Sequence, residues 1–445
     1  MTVTRRFLTL AVMPIVLLAG MLPAPAAATG SRSVAAWLPY WDHDRGLDAI
    51  KSNGDQFGEV SPFWYRLAPS GAVEAYSGAG SATVRDAIKG AGALILPTIS
   101  NEFDRDRVAA VIGDSGRRAA HVQALVSLTT SQGYDGFDID YEGLAAGDRA
   151  NFTSFVGELG AAMRAAGKLL SVTVHPKTSE PGTWDGPQAQ DYVAIGAASD
   201  RVRIMAYDYH WATSEAGPIA PASWVDAVAA FAAKTITPSK VQLGLPLYGY
   251  DWVGKQGNGV TYEQVQALIA KHQPTLQWSS TDQEPWFTYR DAAGVTHTVW
   301  FADRRSTDMR LGSVTKHGLR GVVFWRLGRE DAGVWTGTRN AFGSGTAPPA
   351  PAPADTTAPS VAITSPKPNA HLSLPSQTIT YTASDNVGVA RAELYVNGKL
   401  TYADTTGRGN FTVPTSSLPR GRHLFTVRVL DAAGNAAASN VYLKR

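Results

Sequence analysis

The chain contains no cysteine among its 445 residues. That absence excludes disulfide scaffolds, thiol nucleophiles, iron–sulfur clusters and cysteine-ligated zinc. There is no surplus of either charge. Lys and Arg number 40 and Asp and Glu 38, a net charge of +2. A nucleic-acid binder or polybasic membrane binder carries a larger, clustered basic footprint, so neither partner is expected. No Gly-x-Gly-x-x-Gly follows the first apolar run and no Gly-x-Ser-x-Gly elbow is present, which weakens dinucleotide-binding and serine-hydrolase readings. Long apolar runs are almost missing too. The single candidate, residues 7–22, is broken by Pro14 and Gly20 and is short for a membrane span. What the chain does have is 44% hydrophobic and 18% charged residues, the balance of a folded chain with a core. It is also generous in aromatics, with 12 Trp, 16 Tyr and 14 Phe.

Composition divides the chain. Arg5 and Arg6 precede the apolar stretch, and Ala24-Pro25-Ala26-Ala27-Ala28 follows it. This is the order of a secretory signal, expected over residues 1–28. It implies a secreted, extracellular protein, free or wall-associated, with no membrane contact after cleavage. The Arg pair fits either general or twin-arginine export. A Pro/Ala tract at 343–357 reads as an extended spacer. It separates a body, 31–342, from a C-terminal module, 358–445. In that module, alternation through 379–383, 392–396 and 423–429, with an Asn397-Gly398 turn and turn clusters at 385–388 and 431–435, predicts a β-sandwich. The pattern resembles bacterial immunoglobulin-like modules. All twelve Trp lie ahead of the tract, so a spacer role is favoured over sugar binding.

In the body, short β-rich apolar runs occur at 34–38, 57–62, 93–99, 136–141, 169–174, 202–206, 241–247 and 321–325. Helical spacing separates most of them, at 84–88, 121–130, 149–166 and 224–232. Eight buried strands with helical crossovers predict an α/β fold, a (β/α)8 TIM barrel, with an open doubly wound sheet as the competing architecture. The interval between the seventh and eighth strands is too long for one crossover. A helix signal at 262–271 and a hairpin over 286–301 predict an inserted α+β lobe, about 253–318.

Barrel enzymes place chemistry at the C-terminal ends of their strands. Those ends carry Tyr40 and Trp41; Phe63, Trp64 and Tyr65; Met205, Tyr207, Asp208, Tyr209, His210 and Trp211; Tyr248, Tyr250, Asp251 and Trp252; and Trp325. Flat aromatic faces around carboxylates suit sugar rings, though about half of these aromatics are expected in the core. The fourth strand ends Asp138-Ile139-Asp140-Tyr141-Glu142. Alternate strand residues share a face, so three acids point into the barrel or its mouth. Crowded like charges do not all ionise, and a carboxyl kept protonated near neutrality is a general acid. Glu142 reaches furthest toward a ligand. A calcium loop fits poorly, because its twelfth position is Arg149. An Asp-x-Asp metal site is a weak signal, and a solvated acidic strand is disfavoured by the apolar residues interleaved with the acids. His175, at the end of the fifth strand, is equally a ligand contact or a rim histidine, and His317 is expected to be exposed at a helix end.

Asp135-Gly136-Phe137-Asp138-Ile139-Asp140-Tyr141-Glu142 resembles the Asp-Gly-x-Asp-x-Asp-x-Glu signature of family 18 glycoside hydrolases, the chitinase-like barrels, at every fixed position. The resemblance extends to Met205-x-Tyr207-Asp208, to Trp325 and to the inserted lobe, over residues 31–342. The segment around Met205–Trp211, with Gly217-Pro218 after it, is most similar to the cell-wall and spore-cortex lytic N-acetylglucosaminidase branch. The third strand departs from the family pattern, ending Thr98-Ile99-Ser100-Asn101 in place of Ser-x-Gly-Gly. The resemblance implies hydrolysis of a β-linked N-acetylglucosamine polysaccharide, chitin or peptidoglycan, by a substrate-assisted retaining route, an exception to the two-carboxylate rule. It implies Glu142 as the acid, Asp140 to orient the acetamido group, Asp138 to balance Asp140, and the Tyr207 hydroxyl on the acetamido oxygen. Asp208, Met205, Trp325, Trp41, Tyr248 and Trp211 are the implied substrate contacts. No metal or other cofactor is expected, and a monomer is. A non-catalytic sugar-binding relative is the rival reading, and a vestigial-barrel adhesin the second.

Overall fold

The structure is a computed structural model and describes residues 33–343, 357–386, 388–404, 409–431 and 435–445. The expected signal segment and residues 344–356 of the expected spacer lie outside the described residues.

Eight parallel strands of the first sheet make the barrel: β1 Ser33–Pro39, β2 Phe57–Leu67, β3 Thr98–Ser100, β4 Gly136–Asp140, β5 Leu169–Val174, β6 Arg201–Met205, β7 Val241–Pro246 and β8 Gly321–Trp325. Each pairs with its successor, and β8 pairs with β1, so the sheet closes into the expected barrel. Helical crossovers cover its outside. Asp114, Asp191 and Asp303 cap three of these helices by accepting the N–H of Arg117, Ala194 and Ser306. Outward strand residues such as Phe137, Ile139, Val202 and Ile204 are fully buried beneath the helices. Burial of each such side chain stabilises by roughly 1.5–3 kcal/mol.

The third run breaks in two. Leu94–Ile95 and Thr98–Ser100 both pair with β2, and Leu96-Pro97 interrupts them. Proline has no N–H for the ladder. β2 is longer than expected and carries Trp64 and Tyr65 into the core.

The barrel interior is polar near its closed end. Glu59, Ser61, Arg203 and Gln242 are all inaccessible to solvent. Glu59 accepts from Arg201 Nε (2.6 Å), Arg203 Nη2 (3.3 Å) and Gln242 Nε2 (3.1 Å), and lies 3.6 Å from Arg320. Those guanidinium groups overcome the cost of burial and hold the Glu59 carboxyl down at about 2.

The lobe is a five-stranded antiparallel sheet of Tyr248–Val253, Gln256–Thr261, Gln277–Ser279, Glu284–Arg290 and Thr296–Phe301, with helix Tyr262–His272 on one face. It therefore begins at the end of β7 and finishes before the expected limit of about 318. Helix Arg304–Lys316 is the crossover to β8: its Leu311 and Val314 pack in the barrel core. His317, at its end, is mostly buried and bonds Asp226 (2.9 Å), contrary to the exposed position expected.

The C-terminal module has a three-stranded and a four-stranded antiparallel sheet around its own core, which includes Ile379, Leu394, Phe425, Val427 and Leu443. Strand Arg422–Asp431 alternates buried and partly exposed residues along its length.

Candidate active site

β4 aims Asp138 and Asp140 into the barrel while Phe137, Ile139 and Tyr141 face the helices. Asp138 is fully buried at the centre of four donors. Trp37 Nε1 (3.0 Å) and Thr98 Oγ1 (2.9 Å) donate to its Oδ2, Thr173 Oγ1 donates from 3.3 Å, and Arg203 Nη1 lies 3.2 Å away. Arg203 thus bridges Glu59 at the barrel's closed end and Asp138 below the mouth.

Asp140 is buried, and its Oδ1 has no hydrogen-bond partner within the protein. Burial, then the Glu142 and Asp138 charges, push its carboxyl well above the usual range. Glu142 lies just beyond β4 with its side chain 17% exposed. Burial and then the nearby Asp208 charge push it up to about 8. Two clamps fix it. Asn101 grips its backbone from both sides, donating Nδ2 to the Glu142 carbonyl (2.8 Å) and accepting its N–H at Oδ1 (2.8 Å). His175 accepts the Gly143 N–H at Nε2 (3.3 Å), so its Nδ1 carries the proton and faces Glu142 Oε2 at 3.9 Å. Burial lowers the His175 pKa to about 4, which keeps the ring neutral at pH 7. Asn101 occupies the position where the third strand departs from the family pattern.

Asp208 closes the group from β6. Its φ of +55° is left-handed, and its carboxyl accepts the hydroxyls of Tyr248 and Tyr250. It opens to the cleft, yet enclosure by those rings pushes it up to about 6 against the pull of both bonds. Tyr207, beside the same carboxylates, packs edge-on to Tyr248 at 6.3 Å. Met205 is buried at the end of β6.

Trp325 floors the cleft, in edge contact with Trp37 (5.9 Å), Phe63 (5.5 Å) and Trp41 (6.4 Å). Trp211 is not brought into this group. Its indole donates to Thr213, and its carbonyl accepts from Trp252 of the lobe. Trp252 itself is core, and Asp251 is held within the lobe by Tyr289 and His297.

Two aromatics that the strand-end reading missed lie beside the Glu142 segment. Phe103 is 69% exposed on a turn where Glu102 and Phe103 have φ of +54° and +60°. It lies against Gly143, within about 4 Å of where a Cβ would stand. Trp184 is 49% exposed and packs on the His175 ring at 4.6 Å. Arg105 and Asp185 tie the two segments at 3.7 Å. Two successive non-glycine residues at positive φ were the structural signal; in sequence nothing marked them.

An aromatic-lined cleft beside crowded carboxyls, at the C-terminal rim of a closed parallel barrel, is the site of a barrel glycosidase. The chain belongs to the glycosyl hydrolases family 18, whose model matches residues 87–330. A bacterial Ig domain model matches 359–427. Among curated proteins, the chain is 32% identical over 293 residues to the Bacillus subtilis protein named "Putative sporulation-specific glycosylase YdhD", covering 64% of this chain and 69% of that one. It is 29% identical to the cortical fragment-lytic enzyme of Bacillus anthracis, covering 53% of this chain and 56% of that protein's length. Among solved structures, a chitinase from Chromobacterium violaceum is 27% identical with a TM-score of 0.65, covering 70% of this chain and 99% of that one.

Proposed function

We propose that this protein is an exported hydrolase of β-linked N-acetylglucosamine glycans that works with net retention and uses the substrate's own acetamido group as nucleophile. The observation that carries the reading is the unpartnered Asp140 Oδ1, buried beside a raised Glu142. A buried acceptor without a donor is costly, and an incoming acetamido N–H supplies one. The sugar sits over Trp325. Glu142 gives its proton to the glycosidic oxygen as the bond from carbon one breaks. The acetamido oxygen attacks carbon one and closes an oxazolinium ring, while Asp140 takes its N–H and offsets its charge. The Tyr207 hydroxyl donates to the acetamido oxygen, and Asp208 contacts the sugar. Water then attacks carbon one, and Glu142 takes its proton. Preset donors and charges of this kind stabilise the transition state without reorganisation. Phe103 and Trp184 offer rings to the leaving sugar. Similarity to both chitinase and cortical fragment-lytic enzyme supports either chitin or peptidoglycan.

The test is product analysis. Incubation with N-acetylglucosamine oligomers, chitin and peptidoglycan should release reducing ends with the β-anomer first, by NMR. Binding to these glycans without any release would favour the non-catalytic reading.

A further inference from the structure

His175 follows the last residue of β5, and its side chain is buried. Its backbone is tied on both sides. The N–H donates to Gln190 Oε1 (2.7 Å), and the carbonyl accepts the Tyr192 hydroxyl. Trp184 packs against the ring at 4.6 Å, and a Cβ on Gly186 would stand only 2.8 Å from His175 Cδ2. The imidazole is therefore held in one place. Its Nε2 accepts the Gly143 N–H, and a neutral imidazole that accepts at one nitrogen donates at the other. Among the described residues, the acceptor that this Nδ1–H faces is Glu142 Oε2, at 3.9 Å. That is about 1 Å beyond hydrogen-bond length. Asn101 holds the Glu142 backbone by two bonds, so the motion open to the acid is rotation of its side chain.

The other groups around Glu142 do little for a negative charge on it. Asp140 and Asp208 are carboxyls, and each disfavours a second carboxylate beside it. The Tyr207 hydroxyl is nearby, but the reading above engages it on the acetamido oxygen. The charges on the far side of the ring are matched among themselves. Lys177 is committed to Glu180 (3.0 Å) and the Gln190 carbonyl (2.6 Å), Arg149 to Glu180 (3.4 Å) and Asp191 (3.0 Å), and Arg105 to Asp185 (3.7 Å). Burial holds the ring itself at about 4, so near neutrality it is an uncharged donor. We propose that His175 is a positioning residue for the acid: as Glu142 gives its proton to the glycosidic oxygen, its side chain turns and the new carboxylate accepts the His175 Nδ1–H. No proton leaves the ring, and the contact opens again when Glu142 takes a proton from water. The inference rests on the hydrolytic reading above and adds a β5 residue to that site.

The experiment measures kcat, KM and the pH profile of kcat/KM for the full chain and two variants. The substrate is whichever of N-acetylglucosamine oligomers, chitin and peptidoglycan the wild type cleaves best. His175→Gln offers an acceptor near the place of Nε2 and nothing at the place of Nδ1. It should lower kcat by about tenfold to a hundredfold, the scale of a hydrogen bond to a charged group, and leave KM within about twofold. Its basic limb should move to higher pH, because the Glu142 carboxylate has lost a donor. A merely structural loss would admit water and move that limb the other way, toward the ordinary glutamate range. His175→Asn, whose amide N–H falls near the place of Nδ1, should recover much of kcat. A limb that stays or moves to lower pH in His175→Gln, or equal losses in the two variants, would overturn the proposal. So would nitrogen NMR shifts of the wild type that place the His175 proton on Nε2, with no variant needed. Failure of the wild type to cleave any of the three glycans would instead overturn the hydrolytic reading beneath it.

Discussion

Glu142 is useful only while it holds a proton, and its surroundings are arranged to keep one there. Enclosure and the facing Asp208 charge raise it to about 8, and Asp140 is raised beside it, so the group titrates as a unit. The rate of the free enzyme should therefore fall as pH rises through about 8, read as the basic limb of kcat/KM against pH. Stability follows the same sign. The folded chain binds this proton more tightly than the unfolded chain, whose carboxyl keeps the ordinary value of 4.5. The contribution is full below 4.5 and is lost as pH rises through about 8. Glu142→Gln removes that dependence, so its melting temperature should gain on wild type across this window. The same variant should lose turnover by about 10²- to 10⁴-fold, in a reducing-end assay, while its circular dichroism stays native. At this scale the sequence was informative where chemistry and periodicity coincide. The alternation of Asp138, Asp140 and Glu142 with apolar residues placed the acids correctly. The groups that hold them were only partly legible: His175 and the Thr98–Asn101 segment stood out at strand ends, but their partners, like Trp37, Thr173 and Arg203, come from other strands and are brought near only by barrel closure.

Among elements, one buried residue gathers several of the bonds between the lobe and the β6 loop. Glu284 accepts the Ile219 and Ala220 N–H groups (2.7 and 3.1 Å) and the Arg310 guanidinium. Its replacement by Ala leaves a buried guanidinium and two amides without their acceptor. The expected loss is about 3–5 kcal/mol, measured by urea unfolding. Hairpins and helices with local signals could be read in advance, as with Thr296–Phe301 after its Asp291–Gly294 turn. Helix Arg304–Lys316 could not be assigned to barrel or lobe from periodicity. Its polar composition shows which residues are exposed, not what its apolar face meets. The break at Pro97 was visible in the sequence, but the run around it reads as one strand because apolar composition masks a single missing N–H.

For the whole molecule, the barrel core runs from Val34 to Phe342 and the module core from Leu372 to Leu443, with no residue in common. Each has the apolar content to fold alone. A chain ending at Gly343 should keep the kcat/KM of the full chain on soluble oligomers, and loss of activity there would show that the module supports the site. The eightfold alternation made the barrel legible; its interior was not, because barrel interiors are commonly filled by branched aliphatics. Here a column of charge, Glu59, Arg203 and Asp138, takes their place. Exchanging an interior ion pair for well-packed hydrocarbon often leaves stability unchanged or raises it. In this enzyme that exchange would take the Arg203 guanidinium from Asp138, whose charge acts on Asp140, so durability and turnover are tied together along the barrel axis.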